Sequence, residues 1–406
     1  MVRSIKYILL FIMLFVLTGC WNRIELNELW VTSATGVDAT DDGHFLLSYQ
    51  IIVPSAIALG TGGASGGASQ PASHVFSMKA KTFNQALSYS HMESSRRIYL
   101  GHNRVIYIGK KAAENGLANL IDFYIRNTEA RELVSIVIID GLASDMIKKL
   151  LPPDKLQGAA VYSLIENEKE LFSVYPNVRI YDLVLSMNSD SKSIGIPVAG
   201  LIGDKEHKTE QEAENLDVFK KTSSPLKFQL TKLAVIQNGK LKGFLNEEES
   251  LGVSYLTNKI KKTEISYPCS EQSGEKMYSS LKVHSAKTKL KADKSGDHYT
   301  MHVNVKVDGT LMELVCPQDV SDVKTVRNLE AEISKEVYRI ITKGWSRLQS
   351  LGIDVVGFAD RIHRKFPEEW KNVKGDWGKE FKKMELDIQV NTQIQRPGLQ
   401  LKHMDR

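Results

Sequence analysis

Cysteine is scarce in this chain, with 3 in 406 residues. One of them, Cys20, ends an N-terminal apolar run, which leaves Cys269 and Cys316. Two thiols are too few for the disulfide frameworks that replace a core in small secreted domains. A dominant charge sign is lacking as well. The 53 basic and 48 acidic residues give a formal charge of +5, which does not mark a nucleic-acid binder. Long apolar runs are also missing. The run Tyr7–Leu17 falls short of the about 20 residues a membrane-spanning helix needs. There is no phosphate-cradling Gly-Lys-Ser/Thr loop, no Gly-x-Ser-x-Gly elbow and no His-Glu-x-x-His pair. Those absences remove the common nucleotide, esterase and zinc-protease readings. His74, His91 and His102 are scattered without a second ligand at helical spacing, so neither a metal nor a cofactor is expected. Carboxylate pairs such as Glu368-Glu369 are ordinary on solvated surfaces. The composition is that of a binding or assembly protein and not of an enzyme.

What is present begins at the N-terminus. Arg3 and Lys6 precede the apolar run, and Leu17-Thr18-Gly19-Cys20 closes it. A positive start, a short apolar stretch and small residues at a cleavage point have the anatomy of a secretory signal. Leu-Thr-Gly-Cys resembles a bacterial lipobox, in which the Cys thiol receives a diacylglyceryl group and a peptidase cuts before it. Residues 1–19 are therefore expected to be a signal peptide and Cys20 the lipidated first residue. Two acyl chains anchor a protein stably where one does not. Without Arg3 and Lys6 the charge falls to +3, from 51 basic and 48 acidic residues.

A mature chain of this length suggests two domains. Val31–Val37 reads as a strand. Asp41-Asp42-Gly43 reads as a turn, and Phe45, Leu47, Tyr49, Ile51 and Val53 alternate as a second strand. Thr61–Ser69 is a low-complexity loop. Helices are expected at Thr82–Ser94, Ala112–Ile125, Asp145–Leu151 and Lys155–Leu171, with strands at Arg104–Ile108 and Leu133–Ile139. That alternation predicts a mixed α/β domain over residues 20–203. The polar stretch Asp204–Ser224 reads as an interdomain linker.

The second half, residues 225–398, opens with Phe228–Ile236, Asn238-Gly239 and Leu241–Leu245. This is a hairpin signal, because Asn-Gly supplies the positive φ angles of a two-residue turn. Strands around Leu281–Leu290 and Tyr299–Leu311 turn at Ser295-Gly296. Apolar residues from Val323 to Leu351 keep helical spacing, and Met384–Ile394 alternates as a last strand. The prediction is an α+β protein whose C-terminal domain is a mostly antiparallel sheet on one long helix. Residues 399–406 are a tail. In this register Cys316 falls opposite about residue 275 rather than Cys269, so two buried free thiols are preferred to a bridge.

Two regions are dense in unusual residues. Arg96-Arg97-Ile98-Tyr99-Leu100-Gly101-His102-Asn103-Arg104, with Arg126 and Arg131 nearby, forms either a docking patch or local ion pairs with acids such as Glu93 and Glu129. Local pairing is preferred. Arg361–Trp370 and Trp377 either cap a core or form an interface, and the core is preferred.

These pieces together resemble the Ger(x)C spore-germination lipoproteins. The likeness runs from Gly19-Cys20-Trp21 and Glu25-Leu26 through Arg97…Gly101-His102 and Arg126…Glu129…Arg131. It continues through Lys242-Gly243-Phe244-Leu245 and Phe358…Ile362-His363-Arg364-Lys365…Pro367…Trp370…Trp377 to Arg396-Pro397-Gly398. Asn22 and Asn127 stand where Asp is expected, and Ala359-Asp360 where Gly-Glu is expected. The resemblance implies the C subunit of a germinant receptor, partnered by an A subunit with soluble and membrane parts and a transporter-like B subunit. It implies a place on the outer face of the spore inner membrane, held by lipid on Cys20, with no nucleic acid involved. Arg97, His102, Arg126, Arg131, Trp370 and Trp377 become the candidate partner-binding residues. The competing reading is an exported lipoprotein that captures a small germinant in a pocket, usually one between domains.

Overall fold

The structure, a computed structural model, describes residues 24–58, 70–203, 211–223, 226–272, 275–296, 298–315 and 318–396. The expected signal peptide, Cys20, the loop Thr61–Ser69, Cys316 and the tail lie outside the described residues. With them lie the lipid anchor and the pairing of Cys269 with Cys316.

The first sheet is built from β1 (Leu29–Ala39), β2 (Phe45–Ile52), β3 (Ser73–Ala80), β4 (Arg97–Tyr99), β5 (Val105–Gly109), β6 (Ser135–Ile139), β7 (Ser193–Gly203), β8 (Leu226–Gln237) and β9 (Lys240–Leu245). Their order is β3-β2-β1-β5-β6-β7-β8-β9, with β4 also pairing β1. The central strands β1, β5, β6 and β7 run parallel, and the flanking pairs are antiparallel. Parallel strands are buried on both faces, which explains the uninterrupted apolar runs Val105–Ile108 and Ile136–Ile139. Val105, Tyr107, Val137 and Ile139 enter one core, while Ile106, Ile108, Ile136 and Ile138 enter the other.

Helices cover both faces. On one side lie α1 (Phe83–Glu93), α2 (Lys110–Asn115), α3 (Ala118–Arg126) and, later in the chain, Ile180–Asn188. On the other lies α4 (Gln157–Asn167), and Ile180–Asn188 is α5. The expected helix Ala112–Ile125 is two helices, because Gly116 takes φ +127° and Leu117 N–H turns to Gly239 O at 2.9 Å. The expected helix Asp145–Leu151 is replaced by one turn, Ala143–Met146. It is held from its start by buried Asp38, which accepts from Ala143 N and Ser144 N at 2.8 Å each.

The linker expectation is corrected. β7 and β8 pair antiparallel from Ser193↔Gln237 to Gly203↔Leu226, so residues 204–224 join two neighbouring strands of one sheet. Buried Ala213 and Val218, the bond from Leu150 N to Ala213 O at 2.8 Å and the ion pair Lys149–Glu214 at 2.8 Å tie this stretch to the first sheet. The hairpin expected to open the second domain belongs to that sheet too. Its turn is as expected, with Asn238 at φ 50° and Gly239 at φ 72°.

The second sheet runs β10-β11-β12-β13, from β10 (Thr263–Gln272), β11 (Glu275–Ser295), β12 (His298–Glu313) and β13 (Glu385–Arg396). The first two pairings are antiparallel and β12–β13 is parallel. Before it stands α6 (Glu247–Leu256). Between β12 and β13 come the long α7 (Val323–Leu351), then α8 (Phe358–Lys365), α9 (Pro367–Val373) and α10 (Trp377–Lys383). Leu329, Ile333, Val337, Ile340, Ile341, Trp345 and Leu348 are the buried stripe of α7, as its spacing predicts. The mixed α+β architecture is thus observed, with one core running from the first sheet through α6 and α7 into the second sheet. Polar contacts cross the same junction. Ser254 Oγ donates to Val174 O at 3.0 Å, Asp190 N donates to Asp360 Oδ1 at 3.1 Å, and His363 Nδ1 meets Asp190 Oδ2 at 2.8 Å.

Candidate functional site

The first helix over the sheet is set by Thr82, whose hydroxyl accepts from Gln85 N at 3.1 Å, an N-cap geometry. Opposite it runs α3, followed by a turn in which Asn127 Oδ1 accepts from Glu129 N at 2.9 Å. Between these elements and β4 is a cleft of about 540 Å³. Its aromatic wall stacks Phe45 on Phe83 (centroids 4.9 Å) and Phe83 on Phe123 (5.4 Å). Its rim carries Arg97, which pairs with Glu129, and Arg126, which pairs with Asp122 at 2.7 Å. The hydrogen bond that Arg126 donates to Asp122 raises its guanidinium above the ordinary value.

The structure therefore brings two of the four expected cations, Arg97 and Arg126, to one cleft. Local pairing takes Glu129 as expected, whereas Glu93 forms no pair with Arg97. His102 and Arg131 are exposed and lie outside the cleft. The His102 ring stands 5.9 Å from Tyr99.

Trp370 and Trp377 are core residues, 4% and 7% exposed, in line with the preferred of the two readings of that block and not with a partner-binding role. Their rings meet edge-on at 5.2 Å, and His363 stacks on Trp370 at 5.5 Å. Trp377 Nε1 donates to Asp354, a fully buried carboxylate that also accepts from Gly357 N, Phe358 N and Ala359 N at 2.7–3.0 Å. Burial pushes the Asp354 carboxyl up, and these donors oppose the shift. The block around Trp370 thus organises the start of α8 and closes the second core.

A surface missed from the sequence lies beside the cleft. Ile125 of α3, Leu133, and Tyr181 and Leu185 of α5 are 49–57% exposed. Helices α3 and α5 pack on each other, and Tyr181 N donates to Glu132 O at 2.9 Å. Four large apolar side chains thus share the helical layer with Arg126 and Arg131. Tyr, Leu and Ile beside Arg resemble a protein-binding surface more than a solvated one. Among the described residues no cluster of His, Cys, Asp and Glu is arranged to hold a metal ion. No helix among them is long and apolar enough to cross a membrane.

Residues 22–201 match the spore germination protein N-terminal domain, and residues 231–398 match the spore germination B3/GerAC-like C-terminal domain. The chain is 30% identical over 401 residues to spore germination protein KC of Bacillus subtilis, covering 98% of this chain and 96% of that one. Spore germination protein B3 of the same organism is 24% identical over 398 residues, with 96% of each chain covered. The crystal structure of the GerBC protein superposes with a TM-score of 0.54 at 19% identity, covering 89% of this chain and 96% of that one, which supports the fold. With both of its halves matched in order, the chain belongs to the GerAC-like, or Ger(x)C, family of germinant-receptor C subunits and has a role in spore germination.

Proposed function

We propose that the chain is the lipid-anchored C subunit of a germinant receptor, assembled with A and B subunits on the outer face of the spore inner membrane. The diacylglyceryl group on Cys20 attaches it, and the α3–α5 surface docks a receptor subunit. The observation that carries the docking assignment is the exposed set Ile125, Leu133, Tyr181 and Leu185. Clustered large apolar groups in a helical layer lose unfavourable hydration when a partner covers them. Exposed Arg131, close in sequence to Leu133, adds charge complementarity at the rim. Lipidation rests on Leu17-Thr18-Gly19-Cys20 and on family membership. No catalytic constellation is part of this reading.

The competing idea, direct capture of a small germinant, draws on the 540 Å³ cleft, whose size is within the range of small-molecule pockets. Both of its arginines are already neutralised by Glu129 and Asp122, which favours protein docking.

The test is affinity purification of the tagged chain from spore membranes, with and without Ile125→Glu and Leu185→Glu together. The wild type is expected to bring down A and B subunits and the variant to lose them while keeping its melting temperature. Unchanged recovery of both subunits sinks the docking surface. Mass spectrometry of the mature N-terminus tests the anchor separately: an unmodified Cys20 or a chain still beginning at Met1 rules it out.

A further inference from the structure

The second sheet has a mainly apolar inner face, interrupted by Thr288 opposite Val305 and Thr392 beside Val307. Met301, Val303, Val305 and Val307 of β12 and Ala286 and Ala292 of β11 all enter the core. Side chains alternate along a strand, so the residues between them form the outer face. On β11 these are Lys287, Lys289 and Lys291, and on β12 they are His302, Asn304 and Lys306. The register places Lys287 directly opposite Lys306, Lys289 opposite Asn304 and Lys291 opposite His302. On the next strand, Asn391 stands beside Lys306 and Gln389 beside Asn304. The four lysines are exposed.

Like charges directly opposite each other destabilise an antiparallel pair. Lys287 and Lys306 are such a pair, and Lys289 lies on their diagonal. None of the four lysines forms an ion pair among the described residues. Carboxylates on this face contact other groups: Asp387 bonds His302 at 2.8 Å, Asp308 accepts from Ser285 at 3.3 Å, and Asp293, whose charge also reaches Lys291, lies 3.8 Å from Lys365. Lysines on the helices behave differently. Lys335, Lys371, Lys379 and Lys383 each pair with an acid three residues away. At Asn304, Gln389 and Asn391 an acid of similar size would relieve the repulsion, yet a neutral amide stands at each.

We infer that the outer face of β11–β12 rests on an anionic phospholipid surface. The occupant follows from composition. Protein interfaces are enriched in aromatics and Arg and depleted in Lys, and this central patch is lysine and amides around His302, with no Arg, Phe, Tyr or Trp. A flat face of mobile ammonium groups suits a plane of phosphates that has no fixed geometry. Each lysine near an anionic bilayer adds an attraction that falls off within a Debye length. The contact sets orientation: it lays the second sheet along the bilayer, independently of what tethers the N-terminus.

The test uses the full chain reconstituted into vesicles of phosphatidylcholine alone or of phosphatidylcholine mixed with phosphatidylglycerol. Each lysine is scored for acetylation by peptide mass spectrometry. Lys287, Lys289 and Lys306 are expected to react several-fold more slowly on the phosphatidylglycerol vesicles. The protection should vanish in about 1 M salt, where the Debye length is about 3 Å. Lys335 and Lys371 should react equally on both. The triple variant Lys287→Glu, Lys289→Glu, Lys306→Glu should lose the phosphatidylglycerol-dependent part of vesicle flotation and melt no lower than the wild type. Equal reactivity on both vesicle types overturns the inference. So does protection that requires added receptor subunits and not anionic lipid. Flotation with phosphatidylcholine vesicles reports the acyl anchor alone, so failure of the anchor and failure of this face are separable.

Discussion

Gly252 of α6 and Gly344 of α7 face each other where the two helices cross. A Cβ on Gly252 would stand 2.3 Å from Ile340 O and 3.1 Å from the Gly344 Cα. A Cβ on Gly344 would stand 2.6 Å from Glu249 O. Backbone meets backbone at this point. Because α6 follows directly on β9 and α7 carries the second sheet, the crossing clamps one sheet to the other. Gly252→Ala should therefore cost about 1–3 kcal/mol, the usual range for overpacking, although Ala favours an isolated helix. Chemical denaturation of the two proteins measures it, and a stabilised variant would mean that the crossing relaxes freely.

Asp354 is the second fixed point. Asp354→Ala leaves three backbone N–H groups and the Trp377 indole without their acceptor inside the core. A buried unsatisfied donor costs about 1–3 kcal/mol, so the variant should lose at least about 3 kcal/mol. Asp354→Asn keeps an acceptor oxygen and should lose less. Equal melting of all three forms would show that water replaces the carboxylate.

The clasp between α6 and α7 has an acid-sensitive component. Burial raises the Glu248 carboxyl, but hydrogen bonds from Lys343 and Arg339 outweigh it and hold the group below its ordinary value. A depressed carboxylate stabilises the fold above its unfolded value, about 4.3, and that contribution fades as pH falls through the folded value. Glu248→Gln should cost less than about 1 kcal/mol at neutral pH, since the pair is partly exposed. The gap between variant and wild type should close below about pH 4. A gap that widens in acid would reverse the assignment.

Strand pairing fixes where the chain divides. A fragment ending at Gly203 leaves β7 without β8 and exposes a long sheet edge. It should be insoluble or melt without cooperativity. Extension through Leu256 restores β8, β9 and α6 and should recover a cooperative transition. Cooperative melting of the shorter fragment would reinstate a boundary at 204–224.

Periodic signals in the sequence translate directly into structure. The alternation Tyr299–Val307, the stripe Leu329–Leu348 and the Asn238-Gly239 turn are each local, and each has the expected form. The domain boundary was not legible because Asp204–Ser224 is polar in composition, while its place is decided by the distant pairing of Ser193 with Gln237. Helix α5 escaped notice for a related reason. Ile180, Leu183 and Leu185 are all apolar, and the sequence does not tell that the first two are buried while Leu185 faces solvent. At the candidate site, the Arg97–Glu129 pair and the burial of both tryptophans follow from expectations that the sequence supports. The lysine face was hidden in plain alternation, since a strand pattern does not say which lysines stand opposite one another.

The parallel pairing of β12 with β13 has a consequence for how the molecule is made. Two parallel neighbours cannot be joined by a tight turn; here α7 to α10 intervene between Glu313 and Glu385. The ribosome must pass Arg396 before β12 acquires that whole neighbour. Nascent chains that stop before β13 carry a bare β12 edge and an α7 without its packing on β13. Contacts this distant in sequence form slowly, and unpaired edges aggregate. Assembly of the second sheet thus waits for Glu385–Arg396, and loss of that one strand should be far more damaging than loss of an ordinary edge strand.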